Sequence, residues 1–392
     1  MADYSETHDV RLTTWEGVVP PPVWIEVDLS AVARNFVRIR KWIPPGVKIL
    51  TVVKANAYGL GLLPVTRALV DAGADYLAVA SVVEGVALRQ AGIPGKILVL
   101  GQLLPDEAPL VAYYDLTQAL GDEPSASALS RAAVQFQKPV AFHLKVDTGM
   151  GRYGVWHEEA MPLLERLTDL PGLQREGIFT HFSSAGQSIP ISEEQMLRYR
   201  QLVERMSQRH YPTGLRHVAN SVGLIRFPES YWDMVRTGLL LYGASPVREN
   251  QPFFVEPTLA LKSRIRFIKR IEPGRTVSYG GTFRAENPTV VATLPVGYAH
   301  GYARALSNKA AVLVRGRRAP VIGKITMEDL MIDVTAIPDA AIGDEAVLIG
   351  RQGDDQITAE ELARHARTIP YEILVGLSPS VPRRYLPAQS KA

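Results

Sequence analysis

Between about residues 47 and 245, a short apolar run, a loop and an amphipathic helical stretch follow one another about eight times. No other feature limits the fold of this chain as strongly. The apolar runs are 47–53, 76–80, 97–100, 116–120, 140–146, 177–181, 215–218 and 234–242. Between them lie helical stretches such as 64–72, 82–91, 125–137, 158–170 and 192–210. The runs are apolar at nearly every position rather than at alternate ones, which is the pattern of parallel strands covered on both faces. Eight strand–helix units are the arithmetic of a (β/α)8 TIM-like barrel, so the reading is an α/β fold with that barrel at the N-terminal side.

From about residue 256 the rhythm changes. Strand-like segments at 258–271, 276–283, 289–296, 310–314, 321–325, 330–334 and 345–349 are separated by Gly and Pro turns, with one helix at 358–367. We divide the 392 residues into an N-terminal arm (1–23, rich in proline near its end), a barrel (24–255) and a mostly β C-terminal domain (256–392). With 46% apolar and 21% charged residues, the composition is that of a folded protein with a sizeable core. The formal charge of +3 is spread along the chain without a basic block, which argues against nucleic acid as a partner. There is no cysteine, so thiolate nucleophiles, disulfides, Cys-ligated zinc and iron–sulfur clusters are excluded. The polar start MADYSETHDVR does not read as a signal peptide, and no apolar run approaches 18 residues. The expectation is a cytoplasmic protein without a membrane span or a metal site.

Three places at strand ends carry chemistry. The first run ends at Val53-Lys54-Ala55-Asn56-Ala57-Tyr58-Gly59. Carboxyl ends of barrel strands are where barrel enzymes place their sites. A lysine leaving a buried strand is partly desolvated, which lowers its pKa and frees an amine for an aldehyde such as pyridoxal phosphate (PLP). The plain alternative is a lysine whose head reaches into water. Asn220-Ser221 and Thr237-Gly238-Leu239 follow the seventh and eighth runs, where barrels commonly hold phosphate; a helix cap at Asn220 or Ser221 is the competing reading. The loop Lys145-Val146-Asp147-Thr148-Gly149-Met150-Gly151-Arg152 can present an arginine fork to a carboxylate or be a solvated ion-pair cluster. His181, at the end of the sixth run, is either a core residue or a part of the site.

With these residues in view, the sequence resembles the alanine racemases, PLP enzymes of fold type III, over nearly all of residues 24–385. The match is carried by Val53–Gly59, Asp147–Arg152, Thr180-His181-Phe182, Ala219-Asn220-Ser221 and Met234–Gly238. In the second domain it continues with Val277–Thr282, Pro295–Ala299, Gly323–Met327 and Tyr371-Glu372. The resemblance implies that Lys54 carries PLP and acts as one acid/base, with Tyr279 of a partner subunit as the other. Tyr58, Asn220, Ser221, Gly238, Leu239 and Tyr371 would bind the cofactor, mostly at its phosphate. His181 would pack beside the pyridine ring and Arg236 would face its nitrogen. Arg152 and the Met327 N–H would take the substrate carboxylate, and a carbamylated Lys145 would position Arg152. The implied activity is two-base interconversion of L- and D-alanine on a PLP aldimine in a homodimer with shared sites, supplying D-alanine for peptidoglycan.

Inverting an α-carbon needs a proton removed on one face and returned on the other, so two bases on opposite faces are the simplest device. A guanidinium opposite the pyridine nitrogen cannot give up its proton, which weakens the cofactor as an electron sink and disfavours transamination. The sequence departs from the family's usual residues at Glu328, His300, Thr326, Lys324 and Gly186, positions expected to shape the entrance or support the site. Competing readings are a broader amino-acid racemase acting on serine, an aldolase or decarboxylase on a similar barrel, and a non-catalytic PLP carrier.

Overall fold

In the computed structural model, residues 21–247 and 253–386 are described. The chain divides into two compact units, Leu29–Glu256 and the residues before Leu29 joined with those from Pro257 onward.

The strand β1 (Val23–Asp28) opens the described chain. The barrel unit follows with β2 (Lys48–Val52), β3 (Tyr76–Val79), β4 (Ile97–Val99), β5 (Thr117–Leu120), β6 (Val140–Asp147), a two-residue β7 (Val155–Trp156), β8 (Leu173–Phe179), β9 (Leu215–His217) and β10 (Met234–Thr237). All but β7 form one parallel sheet in the order β10-β2-β3-β4-β5-β6-β8-β9. The remaining gap is bridged by Asp233 N–H donating to the Arg216 carbonyl (3.0 Å) and Arg236 N–H donating to that of Ala219 (2.8 Å). The eight strands therefore nearly close into the expected barrel.

Residues such as Ile49, Leu98, Leu144, Ile178 and Val235 are fully buried, as a sheet covered on both faces requires. The outer helices start where the sequence supplies caps: Ser81 accepts from Glu84 N–H, Asp122 from Ser125 N–H and Ser188 from Ile191 N–H. The eighth unit differs from the others. The run 234–242 is a four-residue strand followed by a 3-10 turn, Leu239–Tyr242. The helix Leu29–Trp42, which precedes the first barrel strand, packs against that turn and against the helix Leu62–Asp71, with Asn35 Nδ2 donating to the Leu241 carbonyl (3.2 Å). It occupies the place of an eighth helix.

The second unit is mostly β, as expected, with three differences. Its nine-strand path includes β1, which lies between the antiparallel Leu259–Arg264 and the parallel Arg383–Leu386. Residues 24–28 therefore belong to this unit and not to the barrel, and the barrel starts at Leu29. Pairing partners more than 200 residues away leave no local periodicity to read. Residues 1–20 of the expected arm lie outside the described residues. The segment 258–271 is two strands, Leu259–Arg264 and Phe267–Ile271, and a second helix, Pro370–Val375, follows Ala359–Ala366. A small core of Ile271, Val277, Ala285, Val291 and Ile322 underlies the turn that carries Tyr279.

Candidate active site

Immediately after β2 the backbone does something rare. Ala55, Asn56, Ala57 and Tyr58 all have φ between 51° and 55°, a full left-handed turn in non-glycine residues. Each such residue costs about 1 kcal/mol or more, because its Cβ approaches a carbonyl oxygen. The turn is held by Ala57 N–H to the Val53 carbonyl (2.8 Å), Gly59 N–H to Ala55 (2.9 Å) and Gly61 N–H to Asn56 (2.9 Å). Glu84 clamps its start, accepting from Ala55 N–H (2.6 Å) and Ala80 N–H (2.9 Å). Strain of this kind is kept where the surroundings over-determine it, usually at a site.

Lys54 heads this turn. Its amine makes no hydrogen bond or ion pair among the described residues. Burial, first, and the Arg152 guanidinium, second, lower its pKa, with Glu84 opposing. Lys145, on β6, is more strongly affected: burial, Arg152, Arg236 and Lys54 push it down to about 7 against a partial offset from Asp147. Its Nζ donates to the Leu100 carbonyl (3.1 Å) and lies over the Tyr153 and Phe179 rings. Arg152 is exposed, rests against the Tyr153 ring, and also makes no hydrogen bond or ion pair among the described residues. Asp147 is occupied otherwise: its carboxylate accepts from the N–H groups of Gly149, Met150 and Gly151 and thereby shapes the loop that carries Arg152. The ion-pair reading of this loop is thus replaced by a carboxylate spent on backbone amides beside a free guanidinium.

Beyond β9, Asn220 Oδ1 caps the helix Ser221–Arg226 by accepting from Val222 N–H (3.0 Å) and Gly223 N–H (2.9 Å). The cap reading holds for Asn220. The Ser221 hydroxyl instead accepts from Gly238 N–H (3.2 Å) and lies 3.4 Å from that of Thr237. A Cβ at Gly238 would stand 2.3 Å from the Tyr58 hydroxyl, so only glycine lets that ring lie there, tilted against Tyr242 with the ring centres 4.6 Å apart. Leu239 opens a 3-10 turn, where leading N–H groups lack partners within the turn. Hydroxyls and amides converge at Tyr58, Ser221, Gly238 and Leu239, a donor set suited to phosphate.

Arg236 is 4% exposed and projects into the barrel. Its Nη1 donates to His217 Nδ1 (3.1 Å) and the His217 carbonyl, and its Nη2 to His181 Nδ1 (3.2 Å) and the Thr180 and Val218 carbonyls. Its Nε–H has no acceptor among the described residues. A pyridine nitrogen is a neutral acceptor of the right kind for that donor. His181 is half-buried, and burial with Arg236 next to it keeps its pKa well below the usual value. It is a neutral partner of Arg236, not an isolated core histidine. The unpartnered amine, the hydroxyl–amide cradle and the free Arg236 donor fit PLP, and no cluster of three or more metal-ligating side chains occurs among the described residues.

In the β unit, Tyr279 stands on the turn Tyr279–Gly281 and is 71% exposed. The turn depends on left-handed backbone at Ser278 (φ 64°), Gly280 and Gly281, and the Ser278 hydroxyl ties it to the Lys324 carbonyl (2.6 Å). Met327 is 57% exposed and its N–H has no acceptor among the described residues. Thr326 supports that loop by exchanging hydrogen bonds with Asp329, and Ala299 N–H donates to the Met327 carbonyl (2.9 Å). His300 Nδ1 accepts from Gly297 N–H, which makes it a turn residue. Glu328 and Gly186 are exposed, and Gly186 has open space around it. Tyr371 is half-buried, with its pKa pushed up to about 12 by burial. The residues that the sequence did not single out are Glu84, Gln195, His143 and His217. Glu84 and Gln195 act through main-chain contacts (Gln195 Nε2, for example, donates to the His181 carbonyl at 3.1 Å), and such contacts leave no motif.

A parallel barrel with a desolvated amine beyond its first strand, joined in one chain to a mostly β unit, defines a two-domain barrel protein with an enzyme-like site at the strand ends. The family described as "Alanine racemase, N-terminal domain" matches residues 27–246, and "Alanine racemase, C-terminal domain" matches 258–385. The alanine racemase of Halothermothrix orenii is 43% identical over 93% of this chain and 97% of its own length. That of Symbiobacterium thermophilum is 44% identical over the same shares. Among solved structures, the alanine racemase of Bacillus anthracis with bound L-Ala-P has a TM-score of 0.86 at 34% identity, covering 95% of this chain and 97% of that one. One from Clostridium difficile has a TM-score of 0.87 at 32% identity, covering 94% and 96%. The chain belongs to the alanine racemase family, whose members are PLP-dependent isomerases.

Proposed function

We propose that this protein interconverts L- and D-alanine with PLP held at the barrel mouth, and so supplies D-alanine for peptidoglycan. The observation that carries the reading is the Lys54 amine, depressed in pKa and without a partner, beside the equally free Arg152 guanidinium. When bound, PLP supplies an electron sink that acidifies the substrate α-hydrogen. Lys54 would hold the cofactor's aldehyde carbon and, once displaced there by the substrate amine, would be free to move a proton on the D face of the substrate α-carbon. Tyr58, Ser221, Gly238, Leu239 and Tyr371 hold the phosphate, with Asn220 fixing the helix start beside them. The Arg236 Nε–H would supply a donor to the pyridine nitrogen, and His181 would lie beside the ring. Arg152 and the Met327 N–H take the substrate carboxylate.

Tyr279 moves the proton on the L face, and we propose that it does so in the site of a second subunit. Its exposure, on a turn built from left-handed backbone, supports a homodimer with shared sites. Arg152 draws support from Lys145, whose near-neutral amine can take up carbon dioxide as a carbamate and so place a negative charge near Arg152.

Lys54→Ala should abolish both racemisation and the visible absorbance of the PLP-loaded protein. A retained yellow colour would move the cofactor to another amine, Lys145 first. In Tyr279→Phe, solvent deuterium incorporation should fall far more from L-alanine than from D-alanine. Equal losses would refute the assignment of faces.

A further inference from the structure

Beneath the mouth, inside the barrel, lies a buried histidine pair that the proposed chemistry does not use. His143 on β6 and His217 on β9 are both fully buried, with His143 Nδ1 and His217 Nε2 2.7 Å apart. His217 is stacked on Phe179 at 4.7 Å with the rings 8° from parallel. Gly177 makes room for His143, since a Cβ there would stand 2.6 Å from its Nδ1.

The tautomers follow from donor chemistry alone. A guanidinium only donates, so His217 Nδ1, 3.1 Å from Arg236 Nη1, must be an acceptor. A neutral His217 then carries its proton on Nε2 and donates to His143 Nδ1. His143, also neutral because burial and the charges of Arg236 and Lys96 push its pKa down to about 3, must in turn carry its proton on Nε2. That Nε2 is buried and has no partner among the described residues. Every donor points away from Arg236, and the order of protons is forced from one end.

We propose that His143 is a positioning residue that acts through His217 to hold the Arg236 guanidinium. Accepting a hydrogen bond at His143 Nδ1 polarises His217 and makes its Nδ1 a stronger acceptor for Arg236. That anchors Nη1, so that the plane of the guanidinium, and with it the free Nε–H, keeps one direction. Without an acceptor at His143, His217 keeps this tautomer, because Arg236 still requires an acceptor at Nδ1, but its Nε2–H is left buried without a partner and its hold on Arg236 weakens. The effect on racemisation rests on the reading that Arg236 faces the cofactor ring; the tautomers do not.

Two substitutions separate this role from packing. His143→Asn keeps an acceptor oxygen near the Nδ1 position but leaves unfilled volume, whereas His143→Phe keeps the ring volume and removes the acceptor. Ring-nitrogen NMR of the protein should show His143 and His217 as single Nε2–H tautomers. The His217 Nε2–H should keep its hydrogen-bonded downfield shift in His143→Asn and lose that shift in His143→Phe, with the tautomer unchanged in both. In the PLP-loaded protein, His143→Phe should lower kcat/KM about tenfold and shift the cofactor absorbance, with His143→Asn within about threefold of the parent. An Nδ1–H tautomer at His217 in the parent, or a Phe variant closer to the parent than Asn, would overturn the proposal. A protein that shows the tautomers yet takes up no PLP would instead refute the cofactor reading, and with it the effect on catalysis.

Discussion

Lys145 offers the sharpest test of the electrostatics at the barrel mouth. Its folded-state pKa is about 7, against 10.5 for a free lysine, with burial the main cause and Arg152, Arg236 and Lys54 adding to it. Below about 7 the amine is protonated in both folded and unfolded chains, and the folded state bears the whole cost of a buried, repelled cation. As pH rises through 7, the folded amine loses its proton while the unfolded one keeps it, so the unfolded chain binds more protons and stability climbs with pH. The rise ends near 10.5, where both states are neutral. Each pH unit inside this window is worth up to about 1.4 kcal/mol, a ceiling of roughly 5 kcal/mol. Relaxation and water entry around buried charges bring the expected gain to about 2–3 kcal/mol. Urea unfolding of Lys145→Met in buffer free of carbon dioxide should remove that share of the slope. The variant should be more stable than the parent at acidic pH and match it at the alkaline end. Adding bicarbonate near pH 8 should then stabilise the parent but not the variant, because carbamate formation on the neutral amine binds the folded chain alone. Parallel pH profiles for the two proteins would refute the reasoning.

The other tests probe the phosphate cradle and the strained turn. Gly238→Ala should cost about 1–3 kcal/mol in urea unfolding, since its Cβ would meet the Tyr58 hydroxyl at 2.3 Å and the carbon bearing it at 2.8 Å. Adding Tyr58→Phe should recover part of this cost but not all of it, and a strictly additive pair would contradict the contact. Ala55→Gly relieves a left-handed alanine at an exposed position and should raise stability by about 1 kcal/mol while lowering kcat, because the turn that directs Lys54 loosens. A destabilised variant would show that the turn is not strained.

The barrel was legible because each of its strands is short, apolar and followed by a helix with a local start signal such as Asp122 or Ser188. The strand β1 was not, because both its neighbours come from the other end of the chain. The eighth unit was read as one long strand because Leu239–Tyr242 is as apolar as the strand before it, and only the turn chemistry of Gly238 and Gly243 separates them. Within the site, Lys54 and Arg152 stand out as residues with chemistry of their own at strand ends, whereas Tyr279 follows only from the family resemblance. The left-handed turn at Ala55–Tyr58 is invisible to composition, since alanine there advertises ordinary helix. His143 and His217 look like core positions, and only the direction of donation from Arg236 gives them a role.

The charges at the mouth show why this arrangement needs an occupant. Lys54, Lys145, Arg152 and Arg236 lie close enough to depress the amines among them, yet the two nearby carboxylates are already engaged. Asp147 is spent on the amides of its own loop, and Glu84 on those of Ala55 and Ala80. A fold selected for stability alone would pair these cations or replace them with apolar side chains, since unpaired buried charge is costly. A carboxylate answers Arg152, and a phosphate fills the hydroxyl–amide cradle of Tyr58, Ser221, Gly238 and Leu239. An amino acid joined to a phosphorylated aldehyde has that distribution. Phosphate alone should therefore stabilise the protein against unfolding, and phosphate together with a small carboxylate should stabilise it further than either does singly.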